Sequence, residues 1–388
     1  MAEEGIPNGL NLEAHNGGEG LSMAEQSLEE PLQKRFAMVS GDGDESYSKN
    51  SEFQASFFSE VRQAALSEAL ERVTLPSEGR PVIVADLGSS SGPNAVNTVL
   101  LIVEKLRHRL PQNAEFQAFF NDLPSTDFNT LFQHICNDPR MKNVFASGVP
   151  GSFHGRLFPQ SSVHVFHTAS SLHWLSEIPH SVLSKDFSAD GRANPPTKHP
   201  PSLLAMQAPL KEQAALDLKN FLLARAAELV PGGLLFMLFG GRLLSERKNP
   251  VDGFWVDLHE VFNGLVREGL LTQQQQDTFR IPVYHRVTED LRDAIASCTS
   301  LFSVLTAELH EHESDVNTLF PTSTPSEMAK KMMTMHRAVV NSIIEAHVGK
   351  ELTEIFWQRY EIEMEKKLIS GQDLKKLSGA WVVSLIRK

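Results

Sequence analysis

The sequence predicts an α/β fold built around a mostly parallel sheet. Three observations lead there: short apolar runs of strand type, helical stretches that alternate with them, and acidic or glycine-rich turns where the runs end. The clearest unit is Val82-Ile-Val-Ala-Asp-Leu-Gly-Ser-Ser-Ser-Gly-Pro-Asn94. Val82 to Ala85 read as a buried strand, and Gly88 and Gly92 permit a tight turn with close backbone approach. A helix starts near Asn94, because Val96, Val99, Leu100, Val103 and Leu106 recur at helical spacing.

The remaining elements follow the same grammar. Glu115 to Asn121 carries alternating phenylalanines and reads as a strand ending at Asp122. Val163 to Thr168 alternates as well and runs into Ala169-Ser-Ser-Leu-His-Trp-Leu-Ser176. Leu234 to Phe239 follows a helix ending near Val230 and the turn Pro231-Gly232-Gly233, and Leu301 to Leu309 and Ala380 to Ile386 read as strands closing the sheet edge. Gly148 to Pro159 holds three glycines and two prolines, the composition of an irregular loop. Residues 252–298 read as helical with one break at Ile281-Pro282-Val283. Pro325 to His347 is a methionine-rich helix opened by Thr324, with proline in first position. These helices suit a cap, and their methionine face reads first as core packing, although thioethers also suit an apolar pocket. The expected division is a flexible tail at 1–35, a core at 36–245 and 300–388, and a helical cap at 246–299 with parts of 185–210 and 325–370. The stretch from about 185 to 205, with Pro195-Pro196 and Pro200-Pro201, reads as an insertion without regular structure.

Composition narrows the function classes. The chain has 388 residues with 41% apolar content, enough for a full core, and 48 acidic against 36 basic residues give a net charge of -12. That balance repels phosphate backbones and supplies no polybasic membrane patch, so neither nucleic acid nor membrane is an expected partner. Two cysteines, Cys136 and Cys298, are too few for a disulfide framework; they fit a reducing compartment and read as buried apolar thiols. Met1 to Gly20 lacks a basic and apolar leader, and no apolar run is long enough to span a bilayer, so a cytoplasmic protein is expected.

The turn after the first strand discriminates between ligands. A dinucleotide site needs G-x-G-x-x-G around a pyrophosphate, whereas here three serines separate Gly88 from Gly92. NAD is thereby disfavoured. S-adenosylmethionine carries no phosphate, and strand-Asp-x-Gly is enough to let its methionine part lie against the backbone. Taken alone, the same turn also fits an ordinary α/β connection. Asp122, at a strand's carboxyl end, is placed to accept ribose hydroxyls. It also fits a helix cap, since Pro124-Ser-Thr-Asp127 looks like a helix start. His173 and Trp174 lie on the ligand side of their strand.

A further segment, Met38-Val-Ser-Gly-Asp-Gly-Asp-Glu-Ser-Tyr-Ser-Lys-Asn-Ser-Glu-Phe-Gln54, is by itself a loop leading into a helix. Together with Ala85 to Asn94, Asn121-Asp-Leu-Pro124, Gly148 to Pro159 and Ser171-Leu-His-Trp-Leu-Ser176, it resembles the plant SABATH family of methyltransferases. The likeness runs from about Met38 to the end, including Val230-Pro-Gly-Gly233 and Val382 to Lys388. It implies a class I methyltransferase fold, Rossmann-like, with a mostly parallel seven-stranded sheet and an α-helical cap. The activity it implies is methyl transfer from S-adenosylmethionine to the carboxylate of a small acid, and the assembly it implies is a homodimer. Carried onto this chain, the likeness puts Tyr47, Gly88, Ser89, Asn94, Asp122, Leu123, Ser152 and Phe153 around the cofactor, with Phe153 near the adenine. It turns Gln54, Ser170, His173 and Trp174 toward the acceptor.

The chain departs from the family pattern in three places. Ser89 stands where many members carry cysteine. Ser170 stands where a tyrosine often lines the acceptor pocket, which should widen it. The stretch Asp277-Thr-Phe279-Arg280 corresponds to a magnesium-type site built from an aspartate, a phenylalanine carbonyl and an asparagine. Arg280 puts a cation where a neutral ligand belongs, which disfavours the metal on Asp277 and Phe279.

The chemistry is consistent on its own terms. A carboxylate of pKa about 4 is ionised at neutral pH and needs no general base. What it needs is aim, and the Gln54 amide and the Trp174 indole N–H are neutral donors that fix it without neutralising it. The expected acceptor is a benzoate, salicylate or cinnamate type of acid; jasmonate, indole-3-acetate, farnesoate and gibberellins are the alternatives. A noncatalytic acid-binding protein and a nicotinamide-dependent oxidoreductase are the competing classes.

Overall fold

The computed structural model describes residues 37–57, 59–183, 207–242, 250–314, 320–321, 323–371 and 376–388. The tail expected at 1–35 and the proline-rich insertion at 185–205 lie outside the described residues. The strands are β1 (Val82–Leu87), β2 (Phe116–Asp122), β3 (Val144–Pro150), β4 (Val163–Ala169), β5 (Leu229–Gly241), β6 (Phe302–Ser314) and β7 (Lys376–Arg387). They form one sheet in the order β3-β2-β1-β4-β5-β7-β6, in which β1 to β5 are parallel and β7 runs antiparallel to both its neighbours. From β1 the chain winds outward to β2 and β3, then returns to the other side of β1 with β4. This reversal opens a crevice at the carboxyl ends of β1 and β4, where doubly wound sheets bind ligands.

Among the described residues, the helices are α1 (Glu52–Phe57), α2 (Ser59–Leu70), α3 (Pro93–Arg107), α4 (Phe128–Asn137), α5 (His180–Leu183), α6 (Gln207–Glu228), α7 (Pro250–Arg267), α8 (Gln273–Thr278), α9 (Thr288–Ser297), α10 (Pro325–Val348) and α11 (Lys350–Ile369). Period-two alternation assigns the two faces of the sheet. Leu234, Phe236 and Leu238 pack with Val82, Val84, Phe116 and the inner faces of α2 and α3. Leu235, Met237 and Phe239 pack with Phe166, with Phe221 and Leu222 of α6, and with Leu291 of α9. A third apolar cluster joins Leu258, Val261 and Phe262 of α7 to Met328, Met332 and Met333 of α10 and to Phe356, Trp357 and Tyr360 of α11. Trp174 packs against this helical cluster, so the segment after β4 reaches from the sheet to these helices.

Several local features differ from the sequence expectation. β3 begins before the expected loop and includes Gly148 and Pro150, both turn signals. It is an edge strand, whose unpaired side needs no N–H and so tolerates proline. β5 starts at Leu229 and carries Pro231-Gly-Gly233 as an irregularity in its pairing with β4; Gly232 takes φ +77 with Thr74 seated against it. The region expected to be helical with one break also stops at Gly269, whose φ of +74 ends α7. Thr324 caps α10 as expected, through a reciprocal bond pair with Glu327. Cys298 is buried, but Cys136 is exposed: Leu131 and Ile135 take the inner face of α4, and the next position points outward. None of the described helices is long and apolar enough to cross a membrane.

Candidate active site

Three of the sequence motifs meet at Gly88. Its φ is +78, and a Cβ built on it would stand 2.1 Å from Ser171 Oγ and 3.6 Å from Phe153 Cε1. The β1 turn, the loop after β3 and the acceptor motif after β4 therefore converge on one residue that has to be glycine. Asn121 holds this convergence, although sequence reasoning used it only as a strand end. Its carbonyl accepts the N–H groups of Gly88 and Ser89, each at 2.9 Å, and its side-chain amide donates to the carbonyls of Val149 at 2.7 Å and Gly151 at 2.9 Å.

Two of the expected cofactor residues spend their polar atoms inside the fold. The Ser89 hydroxyl donates to the Asn121 carbonyl at 3.2 Å, and the Asn94 amide donates to the Ser51 carbonyl at 3.1 Å. The second bond ties the start of α3 to the segment entering α1 and so places Gln54. The Oε1 of Gln54 is buried without a hydrogen-bond partner. A 180° rotation of the amide exchanges its two ends, so the same position can present a donor.

The Asp122 carboxylate accepts three bonds, from Ser90 N–H and Leu123 N–H at 2.7 Å each and from the Thr126 hydroxyl at 2.7 Å. The cap of α4 is Asp127, which accepts from Thr130 N–H at 3.1 Å, so Asp122 is not that cap. Burial raises the pKa of Asp122 in spite of those donors. With about four acceptor positions on a carboxylate, three are filled and about one stays open. Tyr47 lies beside it, its ring 3.4 Å from a Cβ built on Gly92. Burial first, and then the Asp122 and Asp86 charges, push its phenol well above the ordinary value, so it remains a donor. Asp86, the acidic residue of the first motif, faces inward and lies 2.6 Å from His167 Nδ1 on the neighbouring strand.

The loop from Ser152 to Phe158 is pinned by a buried ion pair. Arg225 Nε donates to Glu228 Oε2 at 2.7 Å, Nη1 donates to the Phe153 carbonyl at 2.8 Å, and Nη2 donates to the Gly155 carbonyl at 2.8 Å. Glu228 Oε1 accepts the N–H groups of Leu157 and Phe158. The Phe153 ring is thus held edge-on to Phe221 with centroids 6.0 Å apart. The Ser152 Oγ is 3.4 Å from His154 N–H. Sequence reasoning missed Arg225 and Glu228; the available signal was a pair of opposite charges three residues apart inside the apolar run Phe221 to Val230.

The acceptor motif is zipped to Pro282–Arg286. Leu175 N–H donates to the Pro282 carbonyl at 2.8 Å, Tyr284 N–H donates to the His173 carbonyl at 2.9 Å, and Trp174 forms an antiparallel bridge with Val283. Asp217 of α6 accepts Ser176 N–H at 2.8 Å and its hydroxyl at 2.6 Å. Ser170 takes φ +56, a left-handed value uncommon for a side-chain-bearing residue and shared with Ser90 and Ser161. The His173 ring stacks on His285 at 5.3 Å and tilts against Trp174 at 5.8 Å. Burial lowers the His173 pKa to about 4 and holds that of His285 well below its ordinary value, with the Arg286 charge contributing to both. Both rings are neutral at pH 7. His285 and Arg286 had no sequence signal, because their role comes from pairing with a loop more than a hundred residues earlier in the chain.

The stretch expected to resemble a magnesium site does not fit a divalent ion. Arg280 Nη1 donates to the Phe279 carbonyl at 2.7 Å, and Asp277 accepts Gln273 Nε2 at 2.9 Å. The carbonyl that a metal would take is covered by a cation, and no described cluster of His, Cys, Asp or Glu could hold a metal.

Comparison with known proteins identifies the family and the fold. The family described as "SAM dependent carboxyl methyltransferase" matches residues 33–388. Indole-3-acetate O-methyltransferase 1 of Arabidopsis thaliana is 34% identical over 85% of this chain and 90% of its own length. Gibberellic acid methyltransferase 2 of the same plant is 31% identical over 85% of this chain and 89% of its own. Among solved structures, loganic acid methyltransferase with SAH superposes with a TM-score of 0.76 at 27% identity, covering 90% of this chain and 98% of the other.

Proposed function

The chain belongs to the S-adenosylmethionine-dependent carboxyl methyltransferase family, and from that premise we propose that its acceptor is a small aromatic carboxylic acid. The observation that carries the proposal is the meeting of Ser171, Gly88 and Phe153, which supports a reading in which the acceptor motif lies against the cofactor turn. When bound, S-adenosylmethionine supplies an electrophilic methyl on a sulfonium. The residues present suit it: Gly88 allows close approach, Asp122 has about one acceptor position open for a ribose hydroxyl, and Phe153 and Leu123 line the adenosine side, with Ser152 beside them.

On the acceptor side, Trp174, His173 and His285 offer flat rings to an aromatic acid. Gln54 and the Trp174 N–H aim the carboxylate, whose charge makes it a nucleophile at neutral pH without a base. Another acid, of the jasmonate, indole-3-acetate, farnesoate or gibberellin kind, is the second reading, favoured by the small side chain of Ser170. Pairing of two copies, implied by the family likeness, belongs to the same proposal and is read by sedimentation.

The test is incubation with methyl-labelled S-adenosylmethionine and benzoate, salicylate, cinnamate, indole-3-acetate, jasmonate, farnesoate and gibberellic acid, followed by extraction of neutral esters. The fastest labelling is expected in the benzoate, salicylate or cinnamate ester. Label confined to the jasmonate, indole-3-acetate, farnesoate or gibberellin ester supports the second reading instead, and acid binding without any label supports the acid-binding alternative.

A further inference from the structure

Among the described residues two arginines are fully enclosed, and they differ in one respect. Arg225 is paired with Glu228, whereas Arg286, 2% exposed, has no carboxylate within ion-pair distance among the described residues. Arg286 Nη1 donates to the Leu172 carbonyl in the acceptor motif, and Nη2 donates to the Ala214 carbonyl of α6 at 2.7 Å. Its Nε–H has no partner, and its guanidinium lies 5.9 Å from the Phe239 ring centroid. The nearest acids are committed elsewhere. Asp217 holds Ser176 and Gln213, and Asp290 holds Lys211 at 3.0 Å and the Tyr284 hydroxyl at 3.0 Å.

Removing a guanidinium from water is costly unless an opposite charge is supplied. Burial brings the pKa of Arg286 down to about 10, which leaves it charged at neutral pH. His173 and His285, which feel this charge, are neutral, and the Arg242 charge also reaches His285, so the buried Arg286 cation, poorly screened by solvent, acts on the rings of the acceptor motif. Asp217 and Asp290 offset the Arg286 charge only from a distance, and among the described residues no carboxylate is in ion-pair contact with it.

Building on the carboxylate-acceptor reading above, we propose that Arg286 is a positioning residue that selects the anionic acceptor, holding the Leu172–Trp174 loop in place and stabilising the acid's charge through the His173–His285 pair without touching the acid. Methyl transfer forms a carboxylate O–CH3 bond and breaks the sulfonium S–CH3 bond. Carboxylate and sulfonium are both consumed, giving a neutral ester and a neutral thioether. Arg286 therefore favours the acid over its own ester, which assists product release. Because the negative charge is already fading in the transition state, its effect falls on acceptor binding more than on turnover.

The test compares wild type, Arg286→Gln and Arg286→Lys on indole-3-acetate as substrate, with indole-3-acetamide and methyl indole-3-acetate as neutral competitors and SAH binding as the control. Arg286→Gln retains an amide for one of the two carbonyls and removes the charge; Arg286→Lys retains the charge. The expected result for Arg286→Gln is a rise in acid KM of about ten- to a hundredfold, with kcat changed less than about threefold and the Ki of both neutral competitors within about twofold. Arg286→Lys should recover most of the acid affinity. Equal weakening of acid and neutral competitors, or an unchanged acid KM, overturns the proposal.

Should Arg286→Gln fail to fold, the wild type alone decides. Its preference for acid over amide should persist as KCl is raised, because a buried charge is poorly screened, and loss of that preference with salt overturns the proposal. If wild type methylates another acid of the panel but not indole-3-acetate, that acid with its amide and ester takes its place. If no acid is methylated at all, it is the acceptor reading that fails, an outcome distinct from a selectivity that ignores Arg286.

Discussion

Arg225 and Glu228 form an ion pair of 2.7 Å in which neither side chain is exposed, and between them they fix four backbone groups of the loop from Phe153 to Phe158. Breaking a buried pair leaves an uncompensated charge, so Glu228→Gln should lower stability by about 3–5 kcal/mol. SAH affinity should fall with it as the Phe153 loop loosens. Urea unfolding and calorimetric SAH titration measure the two effects; a stability loss below about 1 kcal/mol would show that the loop does not depend on the pair.

Gly88→Ala should abolish cofactor binding, since the added methyl collides with Ser171 and the left-handed backbone costs a further 1–2 kcal/mol or so. Adding Ser171→Gly removes both colliding atoms and leaves only ordinary contact with Phe153. The double variant should therefore regain part of the SAH affinity. No recovery would place the defect in the turn itself rather than in its contact with the acceptor motif.

Trp174→Phe and Asp122→Asn should have crossed effects. The first removes an N–H while keeping most of the ring and should raise acceptor KM, with a cost of about 1–2 kcal/mol, and spare SAH binding. The second removes charge from the ribose side and should weaken SAH binding by a similar amount while sparing acceptor KM. Steady-state kinetics in both substrates resolve the pattern, and parallel losses in the two variants would contradict it.

His173 titrates near 6.5 when unfolded and about 4 when folded, so the unfolded chain binds the extra proton between those values. Stability is complete above pH 6.5 and is lost as pH falls toward 4. Allowing for partial exposure, the loss is about 2–3 kcal/mol, and His285 acts in the same direction. His173→Phe should flatten the stability profile across this window, as chemical denaturation at pH 7, 5.5 and 4.5 would show. A profile equally steep in the variant would assign the slope to other groups.

Chelator and added magnesium should leave turnover unchanged, because Arg280 occupies the Phe279 carbonyl. A metal-dependent rate in assays with and without EDTA would refute this.

Much of the site was legible from local chemistry. The Asp-x-Gly turn, the carboxylate at the end of β2 and the histidine–tryptophan pair after β4 are each set by a few neighbouring residues, and each reads correctly as a position in the chain. The direction of a side chain does not read in the same way. Ser89 and Asn94 are polar and lie in the right motif, yet their hydrogen bonds go to the Asn121 and Ser51 carbonyls. β3 was hidden for a related reason: Gly148 and Pro150 signal a turn unless the strand lies at an edge, and edge position is a property of the whole sheet.

The sequence by itself determined the α/β class, the placing of most strands and helices and the glycine turn that disfavours a dinucleotide, because periodicity and turn geometry act over a few residues. Only the tertiary structure decided that Ser171 would close on Gly88, that Arg225 and Glu228 would clamp the Phe153 loop, and that Arg286 would be buried against Leu172 and Ala214 with no carboxylate in ion-pair contact among the described residues. Each of those depends on contact between segments some seventy to more than a hundred residues apart or on which charges are left unpaired after packing, and neither quantity exists until the sheet has assembled.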